Sequence, residues 1–63
     1  MWYVVDSQGN RVAGSDGATK KEAKGAFLEK MKSLGVVSVR GAQNGPHMWL
    51  WWHNQGFRVR RER

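Results

Sequence analysis

The sequence predicts a small α+β domain over residues 1–63, with elements in the order β-β-α-β-β-β. Three observations predict it: aromatic and β-branched runs near both ends, one stretch with helical spacing of apolar residues, and turn-forming residues between them. The predicted architecture is an N-terminal β-hairpin, one amphipathic helix and a C-terminal three-stranded antiparallel sheet. Because 63 residues lie near the lower limit for one unaided hydrophobic core, we expect a single domain.

The opening hairpin is predicted from composition. Trp2–Val5 is aromatic and β-branched, residues 7–10 are turn-forming, and residues 11–13 can return as a short partner strand. The break at residues 15–17 then separates this hairpin from the helix.

The helix is predicted to begin at Thr19 and to end at Leu34. Thr19 and Glu22 have the spacing of a capping box, and Gly35 stands where a left-handed C-terminal cap belongs. The apolar stripe of this helix contains Ala23, Ala26, Phe27, Met31 and Leu34, with Leu28 at its edge. Lys30 projects into the stripe, so its ammonium group has to extend out to solvent.

Three strands are predicted after the helix, over residues 36–40, 47–53 and 57–61. A loop over residues 41–46 separates the first two, and residues 54–56 form the turn between the last two.

The pairing of the last two strands decides which tryptophans meet arginines, because alternate side chains of a strand share a face. A turn of two or four residues places Trp49 and Trp51 beside Arg58 and Arg60. A turn of three residues, with Gly56 in a left-handed position, reverses this arrangement. We favour the first because it gives the helix one apolar face to cover, formed by Met48, Leu50, Trp52, Phe57 and Val59.

Positive charge predicts a polyanionic partner. The chain has 11 Lys and Arg against 5 Asp and Glu, a formal net charge of +6. We expect nucleic acid as the partner, because arginine binds phosphate and bases stack on indoles. DNA is predicted rather than RNA. The predicted phosphate contacts are Arg58, Arg60, Arg61 and Arg63, together with Arg40. Trp49 and Trp51 are predicted to stack on bases or wedge between them, and Lys20, Lys21 and Lys24 to add secondary electrostatic contacts.

Two features together resemble small DNA-binding modules: the hairpin around Tyr3, Val4 and Val5, and a helix that starts with Thr-x-x-Glu-Ala at Thr19. Such modules include the arm-binding domains of phage-type recombinases and, in strand order, the methanogen chromosomal proteins. The resemblance implies DNA binding and assigns no role to any residue.

Other interpretations stay open at this point. Tryptophans in so small a domain also serve as core residues, and alternating arginines also protect a sheet edge from pairing with another chain. Trp49 and Trp51 are equally suited to anchor a protein partner, as in a small binding module or a phage-type accessory or inhibitor protein. They are also suited to form a homodimer interface, so either a monomer or a homodimer fits the sequence.

Catalysis, metals and cofactors are not expected. The chain has no cysteine, and His47 and His53 lie at opposite ends of one predicted strand, about 20 Å apart, so they cannot chelate one metal. The acidic residues form no pair spaced for acid and base roles. No run approaches the roughly 18 to 20 apolar residues of a membrane span, and the N-terminus lacks a signal-peptide pattern, so we expect a cytoplasmic protein.

Overall fold

A computed structural model describes residues 1–36 and 45–63 of the chain. In these residues the elements are β1 (Trp2–Val5), α1 (Lys20–Ser33), α2 (Trp49–Asn54) and β2 (Arg58–Arg61). The mixed α+β class is therefore confirmed. The predicted strand over residues 36–40 and the loop that follows it fall largely outside the described residues, as does Arg40.

Strand β1 pairs with β2 in a two-stranded antiparallel sheet, in which Val4 stands opposite Val59 and Tyr3 opposite Arg60. The sequence predicted instead that the arginine strand pairs with its neighbour in the chain. The C-terminal three-stranded sheet is not confirmed, because β2 pairs with β1, which lies near the N-terminus.

The predicted opening hairpin is present only as a turn. The Asp6 carboxylate accepts hydrogen bonds from the backbone N–H groups of Gln8 and Asn10, both at 2.9 Å. The return strand over residues 11–13 is reduced to a single bridge between Val5 and Arg11. The reason is local: the chain turns again at Gly14, whose φ is +81°, so regular pairing cannot continue.

The other edge of β1 is nevertheless covered. Trp2 exchanges two backbone hydrogen bonds with Gly17, at 2.7 and 2.9 Å, and the Val12 N–H donates to the Val4 carbonyl at 2.8 Å. Residues 11–17 therefore take the place of a third strand without forming one.

Helix α1 confirms the predicted caps. The Thr19 hydroxyl accepts from the Glu22 N–H at 3.1 Å, and the Glu22 carboxylate accepts from the Ala18 N–H at 2.9 Å. At the other end Gly35 has φ +76°, and its N–H donates to the Lys32 carbonyl, as expected for a glycine that ends a helix. Lys30 extends out of the apolar stripe as predicted, and its ammonium donates to the Ala13 carbonyl.

The predicted stripe is buried at its centre and exposed at its end. Ala23 and Phe27 are fully buried, and Met31 packs against the core from its edge. The prediction was wrong for Leu34, which is 62% exposed because it is the C-cap, beyond the last packed turn.

The predicted strand over residues 47–53 is wrong, because Trp49–Asn54 is the helix α2. A short apolar run fits either a buried strand or a buried helix. In this run the residues that follow Asn54 form a helix C-terminus. Gly56 has φ +104°, and its N–H donates to the His53 carbonyl at 3.0 Å while the Phe57 N–H donates to the Trp52 carbonyl at 3.1 Å. This pair of bonds closes a helix at a left-handed glycine.

The core forms where α1, α2 and β1 meet. Val4, Phe27 and Trp52 are its buried members. The Phe27 ring contacts the Trp52 ring edge to face, with centroids 5.1 Å apart, and packs at 5.3 Å from Phe57. The Trp52 indole N–H donates to the Pro46 carbonyl, so its polar atom is satisfied. The predicted structural role of Trp52 is confirmed.

Candidate nucleic-acid interface

The predicted sheet face of alternating tryptophans and arginines does not form. Trp49 and Trp51 lie on α2, whereas Arg58 and Arg60 lie on β2, which pairs with β1. Both registers considered for the turn at residues 54–56 are therefore wrong, since each required two neighbouring strands.

The two tryptophans also differ from each other. Trp49 is half-buried and packs edge to face against Phe27, with centroids 5.7 Å apart. Trp51 packs against Trp52 at 4.9 Å and borders an apolar surface with Met48 and Leu50. Each ring is partly buried and packs edge to face against another aromatic ring.

A different set of residues brings cations and aromatic rings together. The Lys20 ammonium lies 4.9 Å from the centroid of the Trp2 ring, and the Arg61 guanidinium lies 5.9 Å from the same centroid. The Lys24 ammonium lies 5.7 Å from the centroid of Trp49. All three distances are within the range of cation–π attraction.

The Lys24–Trp49 pair and Lys20 border a small cleft of about 220 Å³, called the basic cleft below. Its lining combines α1, α2 and β2, and consists of Lys20, Lys24, Trp49, His53, Arg58 and Val59. Lys20 and Lys24 project into the same region because residues four apart share a helix face. No carboxylate lines the basic cleft within residues 1–36 and 45–63.

Arg58 is held in place at the C-terminal end of α2. Its Nη1 donates to the His53 carbonyl at 2.9 Å and to the Phe57 carbonyl at 2.8 Å. Neither bond uses Nε or Nη2. The guanidinium is therefore positioned at the cleft by the backbone, without an acidic partner.

Asp16 and Glu62 are engaged outside the basic cleft. Arg11 forms ion pairs with Asp16 at 2.8 Å and Glu62 at 3.4 Å, and its hydrogen bond to Asp16 raises the pKa of the Arg11 guanidinium. In the described parts of the chain these are the only ion pairs. Among the described residues, Lys20, Lys24 and Arg58 therefore have no carboxylate partner.

The other predicted cations are distributed over the surface. Arg60, Arg61 and Arg63 line an open depression with Tyr3 and Glu62. Lys21 is exposed and does not line the basic cleft.

Two residues of this surface were not predicted as site residues. The sequence predicts Trp2 only as a strand residue, and it gives His53 no role in binding nucleic acid. The spacing of Trp49 and His53, four residues apart, places both on one side of a helix. That spacing, with Gly56 as a helix stop, was the signal that could have identified them.

The distance of about 20 Å predicted between His47 and His53 does not apply to the structure. It assumed a strand between His47 and His53, and no such strand exists. Among the described residues, however, no group of three or more His, Asp or Glu side chains is placed to hold a metal ion.

Comparison with known proteins gives no relative: no family model, curated protein or solved structure matches the chain. No helix within the described ranges has the length and apolar character that a bilayer crossing requires. The cytoplasmic location stays a prediction.

Proposed function

We propose that this chain is a non-enzymatic nucleic-acid-binding domain. It contacts backbone phosphates through the basic cleft and through the two cations that lie against Trp2, Lys20 and Arg61. The observation that carries the proposal is the convergence of Lys20, Lys24 and Arg58 on one cleft that has no carboxylate in its lining. Cations that line one small cleft repel one another when no carboxylate lies between them. A row of phosphates relieves this repulsion and releases counterions on binding.

The same geometry favours phosphate contact over base stacking. Trp2 lies against Lys20 and Arg61, and Trp49 lies against Lys24 and the edge of Phe27. Recognition of single-stranded RNA loops depends on open aromatic platforms, whereas duplex DNA offers a regular array of phosphates. We therefore propose DNA rather than RNA as the partner, with contacts that tolerate many sequences.

The test is the salt dependence of binding to a short DNA duplex, measured by fluorescence anisotropy. Three phosphate contacts lower the affinity about 40-fold between roughly 50 and 200 mM salt. Lys24→Gln and Arg58→Gln should each weaken binding and reduce the slope of log affinity against log salt by about 0.9.

Lys32→Gln is the matched control. Lys32 is an exposed lysine in the last turn of the same helix, and its substitution changes the net charge equally. It should leave the slope nearly unchanged. No binding at low salt, or tight binding that ignores salt, would contradict the proposal. Equal effects of Lys32→Gln and Lys24→Gln would show that the basic cleft is not the contact surface.

A second candidate is a protein-binding module, with α2 as the contact. The observation in its favour is the apolar surface formed by Met48, Leu50 and Trp51, in which Leu50 is 64% exposed. Contiguous apolar surface of this kind is typical of protein contacts. In this candidate Trp51 is the residue that anchors the partner protein, because Trp51 belongs to the apolar surface and Trp49 does not. Self-association is its simplest form, and sedimentation at increasing concentration, compared with Leu50→Ser, tests it.

A further inference from the structure

The basic cleft is lined by four side chains that carry hydrogen-bond donors suited to an anion. The cleft is open to solvent and has a volume of about 220 Å³, well above the roughly 10 to 15 Å³ that admits one water, so a small anion can enter it. The residues that carry these donors come from three elements: Lys20 and Lys24 from α1, His53 from α2 and Arg58 from β2.

His53 differs from the other donors in one respect. Lysine and arginine keep their charge through neutral pH, whereas histidine is the side chain whose charge changes between about pH 5 and pH 8. The charged groups that share the cleft with His53 are Lys20 and Lys24 from α1 and Arg58 from β2. All three are cations, and no acid in the described lining compensates a fourth positive charge.

We infer that the basic cleft binds a phosphate group in a proton-linked manner, with His53 in its imidazolium form as the fourth donor. The inference rests on the proposed function and specifies its chemistry: one phosphate of the nucleic-acid backbone occupies the cleft. A bound phosphate favours the protonated imidazole, and by reciprocity protonation raises the affinity for phosphate. Binding takes up a proton, so the affinity for phosphate rises as the pH falls.

Trp49 gives the site a reporter. Its ring lines the cleft together with His53, and the centroids of the two rings are 6.3 Å apart. An anion that enters the cleft therefore changes the surroundings of the Trp49 indole N–H and of the His53 ring. Both are observed separately by NMR.

The first experiment titrates the protein with inorganic sulfate, which stands in for phosphate and keeps its charge over the whole pH range. NMR spectra are recorded near pH 5.5 and near pH 8 at constant ionic strength. The resonances of the Trp49 indole and the His53 ring should shift together, and roughly twofold to fivefold less sulfate should be needed at the lower pH, as for an exposed ion pair. Shifts confined to other residues, or equal affinity at the two pH values, would overturn the inference.

The second experiment measures duplex binding over the same pH range for the unchanged protein, for His53→Gln and for His47→Gln. His47 is the other histidine of the chain and does not line the basic cleft. The unchanged protein and His47→Gln should both bind roughly twofold to fivefold more tightly at the lower pH. His53→Gln should bind equally at both. Circular dichroism confirms that each variant is folded.

The possible failures are distinct. Salt-dependent duplex binding with the same pH response in His53→Gln rejects proton-linked binding and leaves the proposed function intact. Absence of duplex binding at either pH rejects the proposed function. In that case the sulfate titration still decides whether the cleft is a proton-linked anion site.

Discussion

The backbone N–H of Val4 donates to the side-chain hydroxyl of Ser15 at 3.0 Å, and both residues are completely buried. The same hydroxyl donates to the Val12 carbonyl at 2.6 Å. A serine side chain thus supplies the acceptor that a neighbouring strand would provide to β1. Without it, a backbone donor in the centre of the core would have no partner.

Ser15→Ala removes only one oxygen atom. It should nevertheless lower the free energy of unfolding clearly, because that oxygen is the acceptor of a buried hydrogen bond. An unsatisfied buried donor costs about 1 to 3 kcal/mol, and alanine leaves the Val4 N–H in that state. Urea denaturation followed by Trp fluorescence measures the change.

Ser33→Ala is the matched control for this prediction. The Ser33 hydroxyl also donates to a carbonyl, that of Lys30, but it is exposed at the end of α1. Water replaces its bond, so the free energy of unfolding should change by less than about 0.5 kcal/mol. Equal effects of the two substitutions would show that the Ser15 hydroxyl is not a structural acceptor.

Gly17 occupies a position that excludes any side chain. A Cβ atom there would lie 2.5 Å from the Ala23 nitrogen and 2.7 Å from the Glu22 carbonyl carbon, both backbone atoms of the first turns of α1. Gly17 cannot retreat, because two hydrogen bonds fix it to Trp2. Gly17→Ala should lower the free energy of unfolding by about 1 to 3 kcal/mol, measured by the same denaturation.

Gly25 provides the opposite case. It lies in the middle of α1, where an added Cβ meets no heavy atom within 4 Å. Gly25→Ala should stabilise the protein by about 0.5 to 1 kcal/mol, the helix penalty of glycine. If Gly17→Ala were as well tolerated as Gly25→Ala, the close packing of residue 17 against α1 would be wrong.

The sequence predicted α1 almost to the residue, because its limits depend on bonds between near neighbours. The Thr19 hydroxyl and the Glu22 N–H are three residues apart, and Gly35 ends the helix through its own backbone angle. Signals of this kind need no knowledge of the rest of the fold. The same holds for the extension of Lys30 out of the apolar stripe.

The sheet and the site could not be predicted in the same way. Pairing of β1 with β2 joins Tyr3 to Arg60, and a pattern of alternating residues does not say which distant strand will be the partner. The apolar run at Trp49 fits a helix as well as a strand. The predicted strand placed Trp49 and Trp51 on one sheet face with Arg58 and Arg60, which the helix does not. Once α2 is a helix, Trp49 and His53 meet α1 and form the basic cleft.

The helix cap at Thr19 should also affect the candidate site, because it fixes the turn that carries Lys20. Thr19→Ala removes the acceptor of the Glu22 N–H and should cost about 1 kcal/mol of stability. The first turn then frays, and the Lys20 ammonium is no longer held against the Trp2 ring. We therefore expect weaker duplex binding at low salt, although residue 19 carries no charge. Thr19→Ser keeps the hydroxyl and should keep both stability and affinity. Loss of stability in Thr19→Ala with unchanged duplex affinity would show that the position of Lys20 does not matter for binding.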